Sequence, residues 1–297
     1  MKRIRYLLEY LPLKLILFLA GLLPLAAARR FGDAVAWLLG RVLKLRREVV
    51  ESNLERAFPD KSAEERTALA DSCYRFYCRM ALEWSQAERM LSKESVEFES
   101  AQIVEKQLER GQGIIFISGH LGYWELAGAL LVRRFGPMHV YADVLHNPYV
   151  NGEVERRRRE LGVETVTGKW ALKKQARLLR QGKLIGLVAD QSKGVRQAEV
   201  PFFDYGVKNT RIPATLARIT GAPVVPVVAV REQTSTIKVR FSAPLPASLD
   251  GLDRENEEEL LRQYNEWLER EVRKYPEQYF WLHRRWKKAR PLAKEKD

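Results

Sequence analysis

Cysteine is scarce in this 297-residue chain, with only Cys73 and Cys78, so there is no disulfide framework to trace. The two stand five apart in a stretch that reads as helix. They therefore point to different sides and form no metal knuckle, which suits a reducing compartment. No His-Glu-x-x-His appears, and no other spacing of His, Cys and carboxylates marks a metal site. There is no Gly-rich phosphate loop and no Gly-x-Ser-x-Gly elbow, which argues against an ATPase and a serine hydrolase. Internal repeats and low-complexity stretches are missing as well.

What the chain has in excess is positive charge. Lys and Arg number 51 against 38 Asp and Glu, a formal net charge of +13. Such a balance asks for an anionic partner: nucleic acid, an acidic membrane surface or a small acidic protein. An apolar run over residues 11–28 is framed by Arg3, Arg5, Arg29 and Arg30 and interrupted by Pro12, Lys14 and Pro24. Its length is near the roughly 20 residues that a spanning helix needs. A cleaved signal peptide is the other reading, but an Arg-rich segment continues from it without a linker. We read residues 1–30 as an uncleaved hydrophobic anchor that spans or lies in the bilayer, with the basic bulk on the cytoplasmic side. This run, and the absence of a nucleic-acid motif, count against a nucleic-acid binder, which would be the non-enzymatic reading of the charge.

The remainder, residues 31–290, reads as one α/β domain, with residues 291–297 as a polar tail that frays. Residues 31–45 form an amphipathic helix. Ser62-Ala63-Glu64-Glu65 is a capping box that opens a long helix towards Met90. Short apolar runs at 113–118, 138–142, 184–189, 224–230 and 237–241 read as strands. Helical patterns at 124–135, 148–161, 169–180 and 213–220 lie between them, and residues 255–274 form a charged amphipathic helix. Alternation of this kind predicts a central, mostly parallel sheet flanked by helices. Ligands then gather beyond the strand ends, just past Ser118, Ala142, Ala189 and Val230.

Past the first of these ends runs Ser118-Gly119-His120-Leu121-Gly122-Tyr123-Trp124-Glu125. The glycines permit a tight turn and close approach by a substrate. His120 and Glu125 cannot meet on one continuous helix, but they can if His120 sits in the turn and Glu125 in the first turn of the next helix. A carboxylate on one imidazole nitrogen would leave the other free to take a proton from a hydroxyl. Spacing alone leaves open the alternative of a structural His at a helix start.

The segment resembles the His-x-x-x-x-Asp/Glu motif of glycerolipid acyltransferases, and in particular the late lipid A acyltransferases. The likeness continues in chain order through Asn147-Pro148 with Arg158 and Gly162, then Leu187-Val188-Ala189-Asp190-Gln191, then Val200-Pro201-Phe202-Phe203. It runs on through Thr210, Leu216-Ala217 and residues 220–226 to Pro276-Glu277-Gln278-Tyr279-Phe280-Trp281-Leu282-His283-Arg284-Arg285-Trp286-Lys287. Departures are Pro213 and Asp204, each where relatives have Gly, and these imply local changes of shape.

The resemblance implies a membrane-bound enzyme on the cytoplasmic face of a bacterial inner membrane. It would move a fatty acyl group from an acyl carrier protein thioester to a hydroxyl of a lipid A precursor. His120 would be the base and Glu125 its orienter. Arg158 would be the cationic helper, and Asp190, Gly122 and Asn147 substrate-contacting positions. No cofactor is implied beyond the phosphopantetheine on the donor. The runner-up is acylation of a glycerophospholipid or other glycolipid from acyl-coenzyme A, and a membrane-anchored adaptor with a dead site is a further alternative. Phe202 and Phe203 suit either an acyl groove or plain core. His283 reads as interfacial or structural, whereas Arg284, Arg285, Lys287 and Lys288 could meet lipid phosphates or an acidic carrier. His139 and His146 carry no spacing signal.

Overall fold

The computed structural model describes residues 2–191, 197–233, 236–246, 253, 256–287 and 289–292. It opens with helices α1 (Lys2–Leu22) and α2 (Leu25–Trp37), divided at Pro24, which has no N–H to continue the helical ladder. The helix expected at 31–45 is the end of α2 followed by one π-helical turn, Leu38–Val42. Next come α3 (Arg47–Ala57), α4 (Ala63–Ser85) and α5 (Ala87–Lys93). The capping box is formed: Ser62 Oγ accepts from Glu65 N at 3.2 Å, and Glu65 Oε2 accepts from Ser62 N at 2.7 Å. The helix it opens stops at Ser85, because Gln86 leaves helical geometry and its side chain bonds Ala20 O instead.

The α/β part follows as β1 (Ser95–Glu99), α6 (Gln102–Glu109), β2 (Ile114–Ser118), α7 (Trp124–Phe135) and β3 (Met138–Tyr141). Then come α8 (Pro148–Glu160), β4 (Val163–Val166), α9 (Ala171–Arg180) and β5 (Leu184–Val188). A hairpin, β6 (Gln197–Phe202) and β7 (Tyr205–Thr210), leads to α10 (Ile212–Thr220), β8 (Val224–Gln233) and β9 (Thr236–Phe241). The chain closes with α11 (Glu257–Lys274), a 3-10 turn at Pro276–Gln278 and the short β10 (Arg290–Pro291).

Seven strands form the main sheet in the order β1-β9-β8-β2-β5-β3-β4. Every pairing in it is parallel except β8 with β9. The largely apolar β2 lies at its centre, with all five residues buried, as a strand covered on both faces requires. The edge strands β1 and β4 went unread because they are short and alternate with charged or polar residues. The hairpin and β10 make a separate antiparallel sheet. Phe203 and Asp204 form its two-residue turn, at φ of 48° and 59°, the left-handed pair that suits a right-twisted hairpin. Asp204 therefore fills the position where glycine was expected without changing the register, and Pro213 sits harmlessly in the first turn of α10. Phe202 and Phe203 are core: with Phe58, Tyr279, Trp281 and Trp286 they form one aromatic cluster.

Among the described residues, no helix is long and apolar enough to cross a membrane. The spanning form of the expected anchor is thus not supported, because Arg3, Arg5, Glu9 and Lys14 all fall within α1. Instead α1 lies on the domain. Arg3 Nε donates to Tyr149 Oη at 3.2 Å, Tyr10 stacks on Tyr149, and Asn147 Nδ2 donates to Tyr6 O at 2.9 Å. Its outer side carries Ile4, Leu8, Leu11, Leu15, Phe18 and Leu22, all exposed and spaced alternately by four and three. The frayed tail expected at 291–297 lies mostly outside the described residues; Arg290 and Pro291 pair with Gly206 and Tyr205.

Candidate functional site

Strand register builds the site. Ser118 at the end of β2 pairs with Val188 at the end of β5. Ala189 N donates to Ser118 O at 2.9 Å, so the two chains stay together one step further. Two residues beyond the paired ends stand His120 and Asp190. Asp190 Oδ1 lies 2.6 Å from His120 Nδ1, and Asp190 Oδ2 accepts the His120 backbone N–H at 3.1 Å. Tyr279 Oη donates to the same Oδ2 at 3.1 Å. One carboxylate thus holds both the ring and the backbone of the histidine. Asp190 is 1% exposed, and burial alone would raise its pKa. The His120 contacts and the charge of Arg285 outweigh that and hold the carboxyl well below the usual range.

With Nδ1 on the carboxylate, His120 Nε2 is left to act as an acceptor. The ring stands edge-on to Trp124, with centroids 5.2 Å apart, and 6.1 Å from Phe280. The main chain is fixed equally firmly. Phe280 N donates to His120 O at 2.9 Å, and Tyr77 Oη lies 3.2 Å from the same oxygen. Tyr264 Oη donates to Ser118 O at 2.8 Å. Tyr279, Phe280, Tyr77 and Tyr264 are supports that sequence reasoning did not single out. Only the C-terminal block around Phe280 gave any sign of them.

Glu125 does not hold His120. α7 begins at Trp124, so Glu125 falls on its first turn and faces α8. There Arg158 grips it with two parallel bonds, Nη2 to Oε1 at 2.6 Å and Nε to Oε2 at 3.0 Å. Arg158 also reaches Glu155 at 3.2 Å, and its pKa is raised against the effect of burial by these carboxylates. Arg158, expected as the cationic helper, thus has its guanidinium engaged with Glu125 and Glu155.

Two other expected contacts are also architectural. Gly122, at φ +63°, presses so closely on β8 that a Cβ there would lie 2.1 Å from Ala229 O. Its N–H donates to Gln278 O at 2.9 Å. Asn147 caps α8, its Oδ1 accepting from Tyr149 N and Val150 N, while its Nδ2 donates to Tyr6 O and Glu9 Oε2. Its side-chain oxygen and amide are thus both engaged within the chain.

Beside the His120 turn lies a narrow apolar cavity of about 70 Å³ between α7 and the sheet. Trp124, Glu125 and Arg158 line it together with Ser118. Leu131, Met138, Val163 and Gly186 line its apolar part. No group of three or more His, Cys, Asp or Glu among the described residues could hold a metal ion. His139 pairs loosely with Glu164, and His146 stands edge-on to Tyr6, away from His120.

The mostly parallel α/β domain thus places a carboxylate-held histidine beyond two central strands, next to an apolar slot. Sequence comparison gives the class. A profile of the family described as bacterial lipid A biosynthesis acyltransferase matches residues 2–288. The chain is 26% identical over 284 residues to the lipid A biosynthesis palmitoleoyltransferase of Escherichia coli K12, covering 94% of this chain and 90% of that one. It is also 26% identical over 281 residues to the lauroyltransferase of the same strain, covering 92% and 89%. A phosphatidylinositol mannoside acyltransferase of Mycolicibacterium smegmatis is 30% identical over 124 residues, 40% of this chain and 41% of that one. The chain belongs to the bacterial lipid A biosynthesis acyltransferase family and is an O-acyltransferase.

Proposed function

We propose that the chain transfers a fatty acyl group from an acyl carrier protein thioester to a hydroxyl of a lipid A precursor, with His120 as general base oriented by Asp190. The observation that carries this reading is the His120–Asp190 pair, which occupies Nδ1 and leaves Nε2 as the ring nitrogen that can take a proton. Nε2 takes the proton of the acceptor hydroxyl as its oxygen attacks the thioester carbonyl. The C–S bond of the tetrahedral intermediate then breaks, and the leaving thiolate recovers the proton from the imidazolium. Asp190 stays ionised and stabilises that imidazolium. Glu125 and Arg158 form the polar collar of the slot whose apolar walls suit an acyl chain.

The lipid A acceptor is supported by the names of relatives that align over nearly the whole chain. The basic charge suits an acidic carrier protein as donor. For membrane attachment we infer that α1 lies in the interface rather than across it. Its exposed apolar stripe and its Arg3, Arg5 and Lys14 are the features of such a helix. The site then faces the cytoplasmic surface of a bacterial inner membrane.

The test is acyl transfer from labelled acyl carrier protein to a lipid A precursor by purified wild type and His120→Ala in parallel. Transfer by wild type and its loss in the variant are expected. Full transfer by a folded His120→Ala protein overturns the base assignment.

A further inference from the structure

On the other side of Asp190 is a second cavity, of about 180 Å³, which shares no lining residue with the apolar slot. Its character is opposite. Lys208, Arg284, Arg285 and Lys287 line it, against two carboxylates, Asp190 and Glu199. Asp190 is occupied by three donors from His120 and Tyr279, so it presents little free acceptor capacity to the cavity. Glu199 is exposed, at the hairpin side of the wall.

The unusual residue is Arg285. It is 9% exposed, yet its Nε and Nη1 have no hydrogen-bond partner among the described residues. Its Nη2 alone is placed, 3.1 Å from Asn209 Oδ1 and 3.3 Å from Asn265 Oδ1, with the guanidinium 4.5 Å from the centre of the Phe202 ring. Asn209 and Asn265 are themselves bonded to each other at 2.7 Å, so this end of the guanidinium is rigidly set. Nδ1 of His283, which also lines the cavity, is buried and unpartnered too. A buried guanidinium with two of its nitrogens unpartnered is rare, because the lost hydration is not replaced. The pattern is that of a site whose missing partner is an anion, and a guanidinium with lysines nearby suits the several oxygens of a phosphoryl group.

We propose that this cavity binds a phosphoryl group of one of the two substrates, with Arg285 as the buried anchor and Lys208 and Lys287 at the rim. The proposal rests on the reading of His120 as the reacting base, because Asp190 belongs to both the base and the cavity wall. A phosphoryl group seated here fixes its carrier beside His120 without entering the apolar slot. The group comes either from the head group of the acceptor or from the phosphopantetheine arm of the donor.

The experiment has two arms. In the first, inorganic phosphate is titrated at constant ionic strength into full-length wild type, into Lys208→Gln/Lys287→Gln and into Arg285→Gln, with binding read by calorimetry. Saturable binding to wild type is expected, weakened about tenfold or more in the rim variant, whose substitutions lie on the surface. Absence of saturable binding, or equal binding by wild type and the rim variant, overturns the site. This arm needs no turnover, so it stands even if the protein fails to acylate a lipid A precursor. In the second arm, KM is measured for each substrate. A rise of about tenfold confined to the acceptor places the acceptor's phosphoryl group here, and one confined to the donor places the phosphopantetheine arm. Unchanged KM for both overturns the proposal as a substrate site.

Discussion

Asp190 and Glu125 both flank the turn that carries His120, and the contrast between them is instructive. Asp190 is buried to 1% exposure, bonded to the ring and the backbone of His120, and kept ionised by those contacts. Glu125 sits at the mouth of the slot, partly exposed, with both oxygens on Arg158. The nearer residue in sequence is the more remote from the imidazole in bonding, and the one seventy positions away is in direct contact. Fixing a tautomer needs a carboxylate on the ring nitrogen. Shaping the edge of a substrate slot needs a charge that is itself held in place.

The sharpest way to break this comparison is Asp190→Asn. An amide can present the wrong partner to Nδ1, so we expect transfer to fall about 10³- to 10⁴-fold with the fold retained. Steady-state rates alongside circular dichroism check this, and a variant within tenfold of wild type would return the orienting role to Glu125. Glu125→Gln should cost less, about 10- to 100-fold, because it leaves the His120 pair untouched while loosening Arg158. A double-mutant cycle with Arg158→Gln should show strong non-additivity, about 1–3 kcal/mol of coupling in thermal or denaturant unfolding. Additive effects would mean that the two side chains act separately.

Smaller effects sharpen the contrast between the two cavities. Met138→Ala lengthens the apolar slot. In competition between acyl donors, it should shift preference towards longer chains, at about 2–3 kcal/mol of stability. An unchanged preference would remove Met138 from the acyl path. On the basic side, burial pushes the His283 imidazole down to about 4. The unfolded chain takes up that proton near 6.5 and the folded one only near 4, so stability falls as pH drops through this window and levels off below it. Because His283 is only partly buried, its share is about 1–2 kcal/mol. His283→Gln should flatten the stability profile between pH 6.5 and 4, which chemical denaturation at several pH values will reveal. Asp190 acts in the same direction in a lower window: its folded pKa is depressed, so its stabilisation is present above about 3.9 and is lost as pH falls below that.

Much of the frame is legible in the sequence. The apolar runs that became β2, β5 and β8 stand out because strands buried on both faces tolerate no alternation, whereas β9 alternates buried Ile237, Val239 and Phe241 with half-buried Lys238 and Arg240. The capping box of α4 could be read from Ser62 and Glu65 alone, since both partners lie within one helical turn. His120 was identifiable because its turn follows the central strand, and Asp190 because it ends another strand on the same side. Where local pattern could not decide was in the pairing of these groups. Whether α1 crosses a bilayer depended on which of its sides the domain covers, and its apolar stripe turned out to face outward while Asn147 and Tyr149 hold the other side. Which carboxylate reaches His120 depended on β2 and β5 being neighbours in register, a long-range hydrogen-bonding choice that no spacing within the Ser118–Glu125 segment encodes. The amino-acid sequence by itself determined the apolar central strands, the turn that carries His120 and the family, because those are written in local patterns; only the tertiary structure decided the partners, because contacts across many residues are set by sheet order and packing.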